Sequence, residues 1–169
     1  ALGPRLIDGK GQFAPDSKKS FPSLSVAIFK TTGLNKIFSR SAYINKYYAV
    51  HIAERQTAEV DVLSGCCMLV RKEAMERSGG PFDEDYFMYC EDVDLSYRIQ
   101  KAGYTNIYFP EVDLIHYKGE STVRDGLYMK RFQEAMNYFY GKHFKKSMVF
   151  DTMMRLGGFV FSFLKPLPW

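Results

Sequence analysis

Cysteine is scarce. The 169 residues hold three, Cys66, Cys67 and Cys90, and no Cys-x-x-C. Cys66 and Cys67 are neighbours and Cys90 stands alone, so a disulfide framework is excluded, and free, buried thiols in a reducing cytosol are the expectation. Long apolar runs are also missing. The longest, Gly157 to Leu164, falls far short of the ~20 residues of a membrane-spanning helix. Charge of one sign is weak, and a net +4 does not by itself mark a nucleic-acid surface. No internal repeat or low-complexity segment is seen, and the residues from Ala1 onward are not read as a secretory leader. The chain opens at Ala1 without a Met, in a Gly3-Pro4 turn, and is read as a fragment whose upstream part is absent.

What is there describes a globular chain. Apolar residues make up 46% and charged residues 25%, the balance of an ordinary soluble domain. The length gives one domain or part of one, long enough to bury a core. Aromatics reach 16%, with 14 Phe and 12 Tyr, which raises sugar-stacking or membrane-facing surfaces as readings. Lys142, Lys145, Lys146, Arg155 and Lys165 gather late, beside Phe150, Phe159, Phe161, Phe163 and Trp169. Residues 148–169 are therefore expected to form an amphipathic helix suited to an anionic membrane surface, with docking on the chain's own domain as the alternative.

Local patterning alternates strands and helices. Pro4-Arg5-Leu6-Ile7 predicts a strand, Asp8-Gly9 a hairpin turn, and residues 16–20 a polar loop. Phe21-Pro22-Ser23 predicts a helix start with Ser23 as cap, and residues 36–57 helix and loop. Glu59 to Leu63 alternates as a strand, and Cys67 to Arg71 continues as a buried one. Lys72 to Arg77 predicts a short helix closed by Gly79-Gly80. Pro81 to Cys90 is a loop rich in acids and aromatics, followed by a helix over 91–102. Tyr104 to Phe109 predicts a strand ended by Pro110, and Val112 to Tyr117 another. Arg124 to Phe144 predicts a long helix, and Met148 to Leu156 a further helical stretch. The fold class is α/β with a mixed sheet.

The densest chemistry lies at Glu91-Asp92-Val93-Asp94, where the loop turns into a helix. Leu95, Ile99 and Ala102 form a helical stripe, and Gly103 is a C-terminal stop. Glu91, one turn before Leu95, points toward the sheet, and Asp92 sits about 100° round, at a rim. A helix start supplies free N–H groups and partial positive charge that keep a carboxylate ionised. Such a carboxylate suits proton removal from a hydroxyl, although acids favour the first turn of any helix. Asp94 is placed to pair with Arg98 four residues on, as a surface pair.

Five stretches, taken in order, resemble the second half of a family 2 glycosyltransferase of the rhamnosyltransferase-like subgroup. They are Val62-Leu63-Ser64-Gly65, Met68-Leu69-Val70-Arg71-Lys72-Glu73, Gly79-Gly80-Pro81-Phe82-Asp83-Glu84, Glu91-Asp92-Val93-Asp94-Leu95-Ser96-Tyr97-Arg98 and His116-Tyr117-Lys118-Gly119-Glu120-Ser121-Thr122. The resemblance covers about residues 1–147. It implies the C-terminal, acceptor-binding half of a GT-A fold, followed by helices. The implied activity is inverting, metal-dependent transfer of a sugar from a nucleotide sugar to a glycan or lipid-linked acceptor in cell-surface polysaccharide synthesis. Asp92 matches the family's base, with Glu91 orienting the helix start or acceptor. His116 matches a ligand of a divalent metal, Mn or Mg, whose Asp-x-Asp would lie upstream; Asp83-Glu84-Asp85 and Asp92-Val93-Asp94 lack the strand-end context of that motif.

The substrate contacts implied are Gly65, Asp83, Glu84, Tyr86, Tyr89, Lys118, Ser121 and Thr122. Each has a plainer reading. Gly65 marks either close approach of acceptor to backbone or a bulge. Tyr86 and Tyr89 either stack on a sugar or pack in a core. Lys118, Ser121 and Thr122 either close over a diphosphate or form a solvated loop capping the next helix. The competing function is a non-catalytic, membrane-associated glycan-binding module on the same scaffold. The expected location is cytoplasmic, peripheral at the inner face of the cell membrane, and no nucleic acid is expected as a partner.

Overall fold

A computed structural model describes residues 1–22, 47–117, 126–144 and 152, with backbone alone for 126–129. The described residues divide into two compact units. The first holds 1–21, 47–85 and 91–117, the second 22, 86–90 and the described residues from 126 onward. The expected boundary between 147 and 148 lies outside the described residues, as do Ser23 and the helix expected after it.

The first unit is built on a three-stranded mixed sheet of β1 (Leu2–Ile7), β5 (Asn106–Ile115) and β3 (Ala58–Val60), in the order β1-β5-β3. β1 runs parallel to β5 and β3 antiparallel to it. A two-stranded antiparallel ribbon of β2 (Lys18–Lys19) and β4 (Val62–Leu63) accompanies it. Mixed α/β architecture is therefore as the patterning predicts.

Asp8 makes the predicted turn after β1. Its carboxylate accepts the N–H groups of Lys10 and Gln12, both at 2.8 Å, and Ile7 bridges Phe13 across the hairpin. Residues 16–20, expected as a polar loop, instead hold a short 3-10 turn (Pro15–Ser17) and then β2, with both lysines buried. Pairing with β4 supplies the backbone partners that local polarity did not announce.

Two more expectations change. The strand over 59–63 is split at Asp61, and its halves lie in different sheets. The Asp61 carbonyl accepts from Asn106 Nδ2 at 2.9 Å, and its carboxylate accepts the Phe21 N–H at 3.1 Å. Residues 67–71 form no buried strand: Leu69 makes an isolated bridge to Leu2 and is 73% exposed. Further on, the two strands expected around Pro110 are one. Pro4 pairs with Phe109 and Arg5 with Asp113, so residues 110–112 are skipped in the ladder with β1. Proline has no N–H to give, and a bulge is where a strand tolerates it. Arg5 bonds Asp113 at 3.0 Å, and Arg55 bonds Asp113 at 3.0 Å and the Pro110 carbonyl at 3.3 Å, which pins the irregularity.

Helix α1 (Lys72–Arg77) ends where Gly79 predicts: Gly79 N–H donates to Glu76 O and Gly80 N–H to Met75 O. Helix α2 (Glu91–Lys101) ends the same way, with Gly103 at φ +86° sending its N–H to Gln100 O and Tyr104 sending its own to Ile99 O. A side chain at that φ is strained, so glycine is the natural stop. Leu95 and Ile99 are fully buried, as the stripe requires, each contributing about 1.5–3 kcal/mol by burial. Asn106 Nδ2 also donates to Ser96 O, and Ser96 Oγ accepts the Leu63 N–H, so α2 is stitched to β4 and β5. Tyr108, Val60, Leu63, Ala49 and Ile52 form one core cluster. The Tyr108 hydroxyl donates to Glu54 O at 2.6 Å, and burial pushes its ionisation up to about 12.

The second unit contains α3 (Gly126–His143) and the 86–90 segment. Ala135, Met136 and Phe139 are its buried face, and Cys90 Sγ lies 3.3 Å from Met136 Sδ. The Tyr140 hydroxyl donates to Pro22 O. Immediately before α2, Tyr89 and Cys90 both adopt left-handed φ, +71° and +63°. Two consecutive non-glycine residues there are costly, about 1–3 kcal/mol each.

Candidate active site

The site is assembled around the first turn of α2. Asp92 is the second residue of the helix, and its side chain is 13% exposed. It is half-buried. Oδ2 accepts from Lys19 Nζ at 3.0 Å and from the Gly65 N–H at 3.3 Å, and Oδ1 accepts from the Val93 N–H at 2.8 Å. Burial pulls the Lys19 ammonium down. Asp92, followed by Tyr47 and Asp16, overcomes that and holds it above its usual value, so Lys19 stays charged at neutral pH. Lys19 is the residue that sequence reasoning missed. It lies 73 positions from Asp92, and no local pattern ties the two.

Gly65 belongs to this cluster for a geometric reason. A Cβ built on it would sit 3.1 Å from Asp92 Cβ and 3.5 Å from Phe82 Cζ. The missing side chain thus admits Asp92 and Phe82, a role that neither sequence reading, acceptor approach or a bulge, named. Gly65→Ala is expected to displace Asp92 and destabilise the fold by about 1–3 kcal/mol. Chemical denaturation of the variant checks this, and an unchanged midpoint would show that the loop yields freely.

Asp94 is fully buried, and Arg98 Nε meets its Oδ2 at 2.6 Å. This corrects the expected surface pair. Arg98 also donates to the carbonyls of Ser78, Gly80 and Pro81, at 2.8, 2.9 and 2.6 Å. The buried carboxylate therefore anchors the guanidinium that shapes the loop leading to Phe82, Asp83 and Glu84. Asp83 accepts the Asp85 N–H at 3.0 Å, and Glu84 is exposed. Glu91 is half-buried beside Asp92 in the chain.

Tyr86 and Tyr89 fall in the second unit. Tyr86 is buried, its ring edge-on to Tyr138 at 4.8 Å, and Tyr89 lies edge-on to Phe132 at 6.2 Å. Tyr86 thus packs as a core residue, while Phe87 stands 78% exposed. His116 follows β5, its N–H donating to Ile7 O at 2.8 Å. No group of three His, Cys, Asp or Glu is placed to hold a metal among the described residues. Asp8 is occupied by its turn and Asp94 by Arg98. The described residues therefore do not make a metal site by themselves. Lys118, Ser121 and Thr122 lie outside the described residues.

A two-stranded ribbon, a glycine with little room for a side chain and a helix start holding a half-buried carboxylate with three donors meet in this cluster. The chain belongs to glycosyl transferase family group 2, whose model matches residues 33–165. Among curated proteins it is similar to the N-acetylglucosaminyl-diphospho-decaprenol L-rhamnosyltransferase of Mycobacterium tuberculosis. The two are 40% identical over 125 residues, 74% of this chain and 39% of that protein. It is also similar to the rhamnosyltransferase WbbL of Escherichia coli K12, at 38% identity over 102 residues, 60% of this chain and 38% of that protein. The chain thus spans about two fifths of the length of these relatives. No solved structure matches it significantly.

Proposed function

We propose that this chain is the acceptor-facing, catalytic half of a GT-A glycosyltransferase that moves a sugar, of rhamnosyl type, from a nucleotide sugar to a lipid-linked glycan with inversion. One observation carries the reading: a carboxylate fixed at a helix start, with three donors on its two oxygens. In the reaction, an acceptor hydroxyl oxygen forms a bond to the anomeric carbon. The bond from that carbon to the diphosphate breaks, and the diphosphate leaves with the electron pair. Asp92 takes the hydroxyl proton. Glu91, next to it, orients the helix start or the acceptor. Asp83, Glu84 and Gly65 contribute to the acceptor side, and Lys118, Ser121 and Thr122 would meet the diphosphate.

Support for the donor and acceptor classes comes from the mycobacterial relative, named for L-rhamnosyl transfer to an N-acetylglucosaminyl-diphospho-decaprenol. Peripheral membrane contact by residues 148–169 would suit a lipid-linked acceptor; no helix among the described residues is long and apolar enough to cross a membrane. His116 is proposed as one ligand of a divalent ion, on its motif match alone. Chelation is then expected to abolish transfer by the full-length protein, with Mn²⁺ or Mg²⁺ restoring it; full activity in chelator would remove the metal from the proposal.

The deciding experiment offers the full-length protein a panel of nucleotide sugars with a lipid-diphosphate acceptor, and reads the anomeric configuration of the product by NMR. Transfer with inversion supports the proposal. Retention sinks the displacement by an Asp92-activated hydroxyl, and glycan binding without turnover of any donor returns the binding-module reading.

A further inference from the structure

Two donors, one on the β2–β4 ribbon and one in the turn just after it, converge on a single oxygen of Asp92. Lys19 ends β2, and Gly65 follows β4 by two residues; the ladder sets Lys19 opposite Val62 and Lys18 opposite Leu63. Successive strand residues point to opposite faces. The ribbon accordingly sends Lys18 Nζ to the Ala49 carbonyl at 2.8 Å and Lys19 Nζ to Asp92 Oδ2 at 3.0 Å. The Gly65 N–H reaches the same Oδ2 at 3.3 Å. Lys19 as a whole is only 9% exposed.

We propose that Lys19 is a positioning residue for the transfer reaction, which with the Gly65 N–H locks Asp92 Oδ2 and leaves Oδ1 as the oxygen that takes the acceptor's proton. The inference rests on Asp92 being the base. Two donors on Oδ2 fix the plane of the carboxylate, while Oδ1 carries one N–H, from Val93, and keeps a lone pair for the acceptor. A buried ammonium is costly unless an anion compensates it, and an apolar pair would serve stability as well or better. A charged pair at this spot is therefore best accounted for by what it does to the carboxylate: holding it aimed before the acceptor arrives.

A double-mutant cycle in the full-length protein tests this, using Lys19→Met, Lys19→Gln, Lys19→Arg and Asp92→Asn. Lys19→Met is expected to lower kcat by up to about 10²-fold, the scale of a displaced catalytic group, with the donor KM unchanged. Lys19→Gln, which keeps a donor for Oδ2, should lose kcat in the same direction, and Lys19→Arg should restore most of it. In the Asp92→Asn background, Lys19→Met should lower kcat no further, because the group it positions is already gone. An equal loss in both backgrounds overturns the proposal, as does wild-type kcat in either neutral variant. If both neutral variants fail to fold while Lys19→Met/Asp92→Asn folds, the pair is purely structural and the proposal also falls. Wild-type turnover by Asp92→Asn alone is a different result: it removes the base assignment itself.

Discussion

Asp92→Asn in the full-length protein is expected to lower kcat by about 10²–10⁴-fold, roughly 3–5 kcal/mol of barrier. The amide keeps the shape of the side chain, but its single oxygen can accept only one of the Val93 and Gly65 N–H groups, which meet different carboxylate oxygens. It cannot take a proton from the acceptor hydroxyl. The substitution also removes the counter-ion of Lys19, a buried cation, so some stability is lost with it. The measurement is therefore kcat per folded molecule, with the folded fraction read by circular dichroism. Donor KM should change little, because the charge removed is held inside the ribbon–helix cluster. Turnover within a factor of about three of wild type in the folded fraction would show that the proton leaves by another route.

The second large effect is on stability. Asp94→Ala is expected to cost about 3–5 kcal/mol, the usual consequence of stripping one partner from a buried ion pair. Arg98 would keep its three carbonyls but lose the charge that compensates it. The loop from Ser78 to Pro81 would loosen with it. Denaturant unfolding checks the size, and Glu73→Gln is the control. Glu73 touches Arg77 in an exposed pair at 3.9 Å, and its loss should leave the unfolding midpoint in place. An Asp94→Ala midpoint matching that control would mean that the carbonyls alone hold Arg98. Catalytic defects of Asp94 variants are thus expected to track unfolding, whereas those of Asp92 are not.

Much of this was legible in the chain itself, for identifiable reasons. The α1 and α2 helices and their glycine stops rest on contacts within a turn or two, and the sequence carries those in full. The Asp8 turn is likewise local. The Asp92-bearing helix start could be located, but its surroundings could not. Lys18 and Lys19 look like solvated loop residues because nothing nearby reveals that β4, more than forty residues on, will pair with them. Asp94 looked like a surface acid for the same kind of reason. Its burial is decided by the loop that Arg98 gathers, and helical spacing reports only that the two side chains can meet. Residues 67–71 show the converse failure. An apolar run implies burial only where a second layer covers it, and Leu69 stands exposed beside a single bridge.

The left-handed pair Tyr89–Cys90 has a bearing on how such a site can change over time. Each residue sits where a glycine would be at ease, directly before the helix that carries Glu91 and Asp92. A glycine there would relieve the steric cost, and it would also admit many other backbone paths into the helix. The bulkier residues narrow those paths, so the first turn begins at one place and in one direction. Drift toward the less strained sequence would then be opposed by selection for aim, since the easier backbone is also the looser one.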